Sequence, residues 1–332
     1  MKAFKHHNAT SVDDAISLMR ASKGRASLIA GGTDLLGVLK DEILPDYPEA
    51  VINIKTIPGL DDVKESKKGL KIGALAKLAD VVAHPLVREN YPILSKAAEA
   101  VATPEIRNMA TLGGNLCQDT RCWYYRYPHH MGGRIICYRK GKGSCQAIKG
   151  DNRYHAIMDA KKCFAVCPSD TAIALTALGA KLEIKGPQKT RNVSVDEFFT
   201  TRGNILEPDE LLTHFEIPRT APEVRQEFIR YTLRKPVDFA LASVAAVVTM
   251  QNGVCKDARI VLGAAAPAPV RAVDSEKLLK GKVADEKDIA EAARAAVKNA
   301  RPMRMNAYKV EITRTLVKRA IMQCVSVEGD PC

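Results

Sequence analysis

ATLGGNLCQDTRC, Ala110 to Cys122, is the stretch on which the reading of this 332-residue chain turns. It opens as a glycine turn and closes on a cysteine. Cys137, Cys145, Cys163 and Cys167 follow, with ten Lys or Arg residues between Cys117 and Cys163. The pattern then changes: KKCFAVCPSDTAIALTALGA, Lys161 to Ala180, returns to an apolar helical period. A second glycine turn, LIAGGTDLL, Leu28 to Leu36, lies near the start. Backbone N–H groups in such turns form an anion nest, because no Cβ blocks close approach. Ala30-Gly31-Gly32-Thr33-Asp34 leaves a predicted strand, as a pyrophosphate cradle should, and Thr33 adds a hydroxyl donor. Thr111-Leu112-Gly113-Gly114-Asn115 offers a second nest of similar make. Neither is the G-x-G-x-x-G of a dinucleotide fold or a P-loop. Either turn alone reads more readily as a plain structural turn.

Composition bounds the function classes. With 46% hydrophobic and 27% charged residues, the chain has the make-up of an ordinary globular protein of two or three domains. No apolar run reaches the roughly 20 residues a membrane span needs. MKAFKHHNATSVDDA has no apolar signal region, so a cytoplasmic address is expected. The net charge of +12 invites a nucleic-acid reading. The basic residues form no continuous run, aromatics are only 5%, and no nucleic-acid-binding motif occurs, so none is expected. A basic face equally suits an acidic electron carrier. Six of the nine cysteines lie from Cys117 to Cys167. In a reducing compartment such clustering points to metal before disulfides, with unligated buried thiols as the alternative.

Along the chain, Ser11-x-x-Asp14 predicts a capped helix through about Arg20. Strands are expected at Ser27–Ala30, Ala50–Ile54 and Gly69–Leu75, and helices near Leu78–Val82 and Ile93–Val101. Ala172–Ala180 reads as a helix, Lys181–Ile184 and Leu211–Ile217 as strands. TAPE, Thr220 to Glu223, is a candidate boundary. Beyond it come strands near Phe228–Leu233 and Ala258–Leu262, an ambiguous apolar run at Asp238–Thr249, and three closing helices. Alternation of strands and helices points to α/β units.

AGGTDLL, then ATLGGNLC about eighty residues later, then PSDTAIALTALGA, resembles the flavin subunit of molybdenum hydroxylases, the xanthine dehydrogenase and carbon monoxide dehydrogenase family. DELLTHFEIP (Asp209–Pro218) and RKPVDFALASVAAVV (Arg234–Val248) extend the resemblance over nearly the whole chain. It implies a mixed α+β and α/β fold. Residues 1–219 would be an FAD-binding PCMH-type (vanillyl-alcohol oxidase-like) domain of two subdomains. Residues 220–332 would be a carbon monoxide dehydrogenase flavoprotein C-terminal-like domain. FAD would lie between the first two subdomains, with Leu28, Ile29, Ala30, Gly31, Gly32, Thr33, Asp34, Leu35 and Leu36 at its pyrophosphate. Val101, Ala110, Thr111, Leu112, Gly113, Gly114 and Asn115 would complete the site. Asp170 would approach the ribityl chain or ring, and Leu212 would lie against the flavin. Arg230 stands where the family often has Lys, a change of donor geometry.

In most relatives the GGN-C turn runs almost directly into the PSD segment; here roughly fifty residues intervene. The insertion, about 117–167, resembles that of the β subunit in the 4-hydroxybenzoyl-CoA reductase branch, which carries an additional [4Fe–4S] cluster. The resemblance implies ligation by Cys122, Cys137, Cys145 and Cys163. Nearby Arg121, Arg139, Lys140, Lys161 and Lys162 would favour thiolate over thiol. Cys117 reads as a packed thiol, Cys167 as a packed thiol or substitute ligand, and Cys255, Cys324 and Cys332 as isolated thiols. Zinc is the rival metal, to which His129, His130 and His155 could contribute, though all three are expected in solvent. Trp123 would shield the cluster or sit exposed. No catalytic residue is expected on this chain. The resemblance implies an electron-transfer subunit working with a [2Fe–2S] small subunit and a molybdopterin large subunit. Electrons would come from an acidic carrier such as ferredoxin, for reductive dehydroxylation of an aromatic acyl-CoA. The alternative is a flavin subunit of another aromatic or heterocycle hydroxylase whose loop binds zinc or no metal.

Overall fold

The computed structural model describes residues 1–235 and 237–325; Cys332, expected as an isolated thiol, lies outside them. Three sheets carry the architecture. The first is parallel, with Ala50–Asn53 between Lys5–Asn8 and Ala26–Ile29. The helix Val12–Ala21 makes the crossover from the first of these strands to Ala26–Ile29, starting where the Ser11 hydroxyl accepts from Asp14 N at 3.0 Å. The Asp14 carboxylate turns back to accept from Thr10 N at 2.9 Å, which braces the chain just ahead of the cap.

The α/β alternation stops there. The second sheet holds five antiparallel strands in the order Val63–Ser66, Gly69–Gly73, Leu211–Pro218, Lys181–Lys185 and Thr190–Ser194. Leu211–Pro218 is central, and its register slips between Leu212 and His214, where the Thr213 hydroxyl donates to Glu183 O at 3.1 Å. A third sheet follows the Thr220–Glu223 stretch: Val224–Tyr231, Ala242–Gln251, Val254–Gly263 and Val270–Arg271, all antiparallel. The ambiguous run at Asp238–Thr249 becomes a strand from Ala242 onward, and the first half of that strand is buried on both faces, so its apolar residues are continuous rather than alternating. The helices Val273–Leu279, Glu286–Ala296 and Tyr308–Val325 share one apolar core with this sheet.

One helix ties the halves together. Asp170–Ala177 is buried at all eight positions, and Ser169 caps it by accepting from Ala172 N at 3.1 Å. Ile173 packs in one core with Leu182 and Phe215 of the second sheet and with Phe228, Ala245 and Val261 of the third. Its small, uniformly apolar composition is what such double-sided burial requires.

Candidate functional site

Both glycine turns face one cavity of ≈570 Å³, within the range of small-molecule and cofactor sites. The first runs from the strand Ala26–Ile29 into the short helix Leu35–Lys40. Leu28, Ala30, Gly31, Gly32, Thr33, Asp34 and Leu35 line the cavity. Among the described residues the amides of Gly31, Gly32 and Thr33 have no partner within the chain. Three consecutive free N–H donors on a cavity wall suit the negative charge of a pyrophosphate. Gly31 is also obligatory on steric grounds, since a Cβ there would stand 1.9 Å from Met109 O. Ile29 and Leu36 hold the turn from behind; their side chains lie against Gly32, and neither lines the cavity.

The second turn contributes a wall whose donors are spent. Thr111, Gly113 and Gly114 line the same cavity. Leu112 N donates to Ala76 O at 2.8 Å and Gly113 N to Ala74 O at 2.9 Å. Gly114 N donates to the Thr111 hydroxyl at 3.1 Å, which caps the helix Leu112–Cys117. Its glycines serve close packing, since a Cβ on Gly113 would meet the Ala74 Cβ and carbonyl at 2.8 Å. The expected second anion nest is in this structure a capped helix start.

The remaining expected residues divide. Leu212 lines the cavity. Ala110 and Leu112 are buried behind the wall, and the Val101 carbonyl accepts from Arg107 at 2.9 Å. Asn115 Oδ1 accepts from the hydroxyls of Ser169 and Thr171, each at 2.7 Å, which fastens the GGN turn to the PSD segment. Asp170 is not on the cavity wall; its Oδ2 lies 3.5 Å from Arg230 Nε. Burial pushes the Asp170 carboxyl up to about 6, opposed by the Arg230 charge and a hydrogen bond from Ser243. Arg230, whose Nη2 donates to Asp238 O, makes its ion pair from the third sheet, so the two residues join the halves of the molecule.

The insertion folds back onto the first glycine turn. Asp34 Oδ1 pairs with Arg121 and Arg126, each at 2.7 Å, and Oδ2 accepts from Asp119 N at 2.8 Å. Arg139 pairs with Asp119 at 2.7 Å, donates to Thr201 O at 3.2 Å, and itself lines the cavity. These contacts were not visible in the sequence: an Arg in a basic loop carries no mark of the carboxylate it will find. The expectation that cations free the thiols is also corrected: burial of the Cys163 thiol outweighs the downward pull of Arg139. Burial instead pushes the Cys122 thiol up to about 11, and Cys163 also upward.

Among the described residues no three His, Cys, Asp or Glu side chains form a group that could hold a metal ion. Cys122 nevertheless lies close enough to Cys145 and Cys163, and Cys163 to Cys145 and Cys137, for their charges to couple. The amides of Tyr124 and Tyr125 donate to Cys122 Sγ, and that of Ala165 to Cys163. Lys140 Nζ is buried beside Cys137 and Cys122 without a hydrogen-bond partner. Cys167 stands apart, coupled to Asp170 and Arg139, and burial pushes both it and Cys117 up to about 12. His129 and His130 are exposed, but His155, expected in solvent, is 3% exposed with Nε2 3.3 Å from Cys122 Sγ. Burial pushes it down to about 4. Trp123 is half-buried against Tyr154 and His155.

The cavity and its turn suit a nucleotide cofactor, and comparison with known proteins gives the family. The family model for the FAD binding domain in molybdopterin dehydrogenase matches residues 2–220, and that for the CO dehydrogenase flavoprotein C-terminal domain matches 227–324. The chain belongs to the FAD-binding subunits of the molybdenum hydroxylase family. It is 35% identical to the aldehyde oxidoreductase FAD-binding subunit PaoB of Escherichia coli K12 over 82% of this chain and 84% of that protein. It is 27% identical to the carbon monoxide dehydrogenase medium chain of Hydrogenophaga pseudoflava, covering 96% of each. Among solved structures, carbon monoxide dehydrogenase from Hydrogenophaga pseudoflava superposes with a TM-score of 0.78 at 26% identity, covering 97% of each chain. Quinoline 2-oxidoreductase from Pseudomonas putida 86 gives 0.76 at 27%, covering 98% of each. No helix among the described residues is long and apolar enough to cross a membrane.

Proposed function

We propose that this chain is the electron-transfer subunit of a heteromeric molybdenum (or tungsten) oxidoreductase, holding FAD in the glycine-turn cavity and a [4Fe–4S] cluster in the insertion. FAD, when bound, exchanges electrons in pairs or singly, and a cubane cluster exchanges them singly. Gly31, Gly32 and Thr33 would hold the pyrophosphate through their free amides, with Leu212 as an apolar wall. Arg139 adds positive charge to the same cavity, while its pairing with Asp119 keeps the insertion closed over it. In this reading the chain's part is to bind, orient and insulate the cofactors.

The observation that carries the cluster is Lys140. A buried ammonium without a hydrogen-bond partner is costly, and it lies beside two thiols of a set whose charges couple. An anionic iron–sulfur core held by Cys122, Cys137, Cys145 and Cys163 would supply the missing counter-charge. The four thiolates of a cubane bind four different irons, so they need not converge as ligands of one zinc ion do. The backbone donors to Cys122 and Cys163 point the same way, because hydrogen bonds to ligand sulfurs are a feature of such sites. The eight cysteines among the described residues are all free of disulfides, which supports a reducing, cytoplasmic setting.

The partners in this reading are a [2Fe–2S] small subunit and a molybdopterin large subunit on other chains, with an acidic carrier such as ferredoxin. Lys142, Lys149, Lys161 and Lys162 remain exposed on the insertion to meet it. Two substrates compete. The cysteine pattern favours reductive dehydroxylation of an aromatic acyl-CoA, as in 4-hydroxybenzoyl-CoA reductase, and the 35% identity to PaoB favours aldehyde oxidation. Anaerobic co-purification with the partner chains, followed by assays with aromatic CoA thioesters and with aldehydes, separates them. Reduction of the complex by reduced ferredoxin is expected to slow as ionic strength rises. A salt-independent rate would remove the acidic-carrier assignment.

A further inference from the structure

His155 is a residue for which the relay itself has no use, yet it is buried and its backbone is tied to a distant part of the chain. From the C-terminal helix region, Asn306 Nδ2 donates to the carbonyls of His155 at 3.0 Å and Ala156 at 3.2 Å. Lys309 Nζ donates to His155 O at 3.1 Å and to Ala264 O at 2.6 Å. The imidazole packs beside Trp123 and Tyr124, each with its ring centroid 6.0 Å away. Nε2 faces Cys122 Sγ at 3.3 Å, while Nδ1 is buried and, among the described residues, has no partner.

That asymmetry assigns the proton. If the thiol donated to Nε2, the ring hydrogen would sit on Nδ1 as a buried N–H without an acceptor. An imidazolium would leave the same orphan donor and bury a charge as well. With the hydrogen on Nε2, the donor faces sulfur and only a lone pair goes unmatched at Nδ1. Orphaned buried donors are rarer than under-satisfied acceptors, so the ring is the neutral Nε2–H tautomer, assigned from its network.

We propose that His155 is a positioning residue whose Nε2–H donates to Cys122 Sγ, orienting that ligand and raising the reduction potential of the centre it holds. The inference rests on the cluster reading above. One-electron reduction adds negative charge that is shared with the ligand sulfurs, and a donor aimed at sulfur stabilises the more negative form. Two backbone amides reach the same sulfur; His155 adds a donor that substitution can remove.

The test uses the chain purified anaerobically with its partners, as parent, His155→Leu and His155→Gln. Iron and acid-labile sulfide are measured first, then the midpoint potential by EPR-monitored titration. The expected result is equal iron in all three, a lower midpoint for His155→Leu, and a midpoint nearer the parent for His155→Gln, which keeps an N–H donor. Full iron with an unmoved midpoint in His155→Leu overturns the inference and leaves the cluster reading standing. An iron-free parent overturns the cluster reading and the inference with it. Should His155→Leu fail to assemble, pulsed EPR of reduced parent protein labelled with ¹⁵N-histidine decides. A histidine nitrogen coupled to the cluster supports the assignment, and its absence sinks it.

Discussion

The two glycine turns are close to twins as strings of residues and opposites as structures. Gly31, Gly32 and Thr33 keep their amides free on the cavity wall, whereas the amides of Leu112, Gly113 and Gly114 are consumed by Ala76, Ala74 and Thr111. The first turn leaves its donors open on the cavity wall, and the second is a joint that brings a helix start against the strand region around Ala74. The difference lies in the company each keeps. Behind the second turn stands a strand end with carbonyls to fill, whereas the first packs Gly31 against Met109 and leaves its amides open on the cavity wall. Two adjacent glycines thus signal close backbone approach, without saying whether the visitor is a ligand or the protein itself.

The contrast breaks most visibly at Gly31. In Gly31→Ala the new methyl group would sit 1.9 Å from Met109 O, so the turn must move and its three donors with it. Flavin bound per protein, read from visible absorbance after desalting, is expected to fall at least about tenfold, or roughly 1.4 kcal/mol of binding. Unchanged flavin content would show that the free amides are not the cradle. A smaller effect is expected from Asp34→Ala, which leaves Arg121 and Arg126 without their shared carboxylate. Unfolding in urea is expected to show a loss of about 1–3 kcal/mol, with the insertion becoming protease-sensitive first. Smallest is Thr111→Ala, which removes a helix cap from the second turn. It should lower stability by about 1 kcal/mol and leave flavin affinity nearly unchanged. A flavin loss as large as that of Gly31→Ala would make the two turns equal partners after all.

Much of this was legible in the sequence for reasons that can be named. The order AGGTD, ATLGGN, PSD marked the domain because each motif meets a separate backbone demand, and the three meet at one place: Gly31 against Met109, Asn115 against Ser169 and Thr171. Strand pairing was not legible. Leu211–Pro218 alternates as any half-buried strand does, and nothing local says that it pairs with Gly69–Gly73, far behind it in the chain. The arginines of the insertion read as a basic surface, but burial against Asp34 and Asp119 turns several inward. His155 read as a loop histidine because its burial depends on Asn306 and Lys309, some 150 residues away.

The most direct measurement is the iron and acid-labile sulfide content of anaerobically purified, flavin-replete protein. About four of each per FAD are expected, falling away in Cys137→Ser while the flavin stays bound. Flavin-replete protein without iron, or iron that survives Cys137→Ser unchanged, would contradict a cluster held by Cys122, Cys137, Cys145 and Cys163.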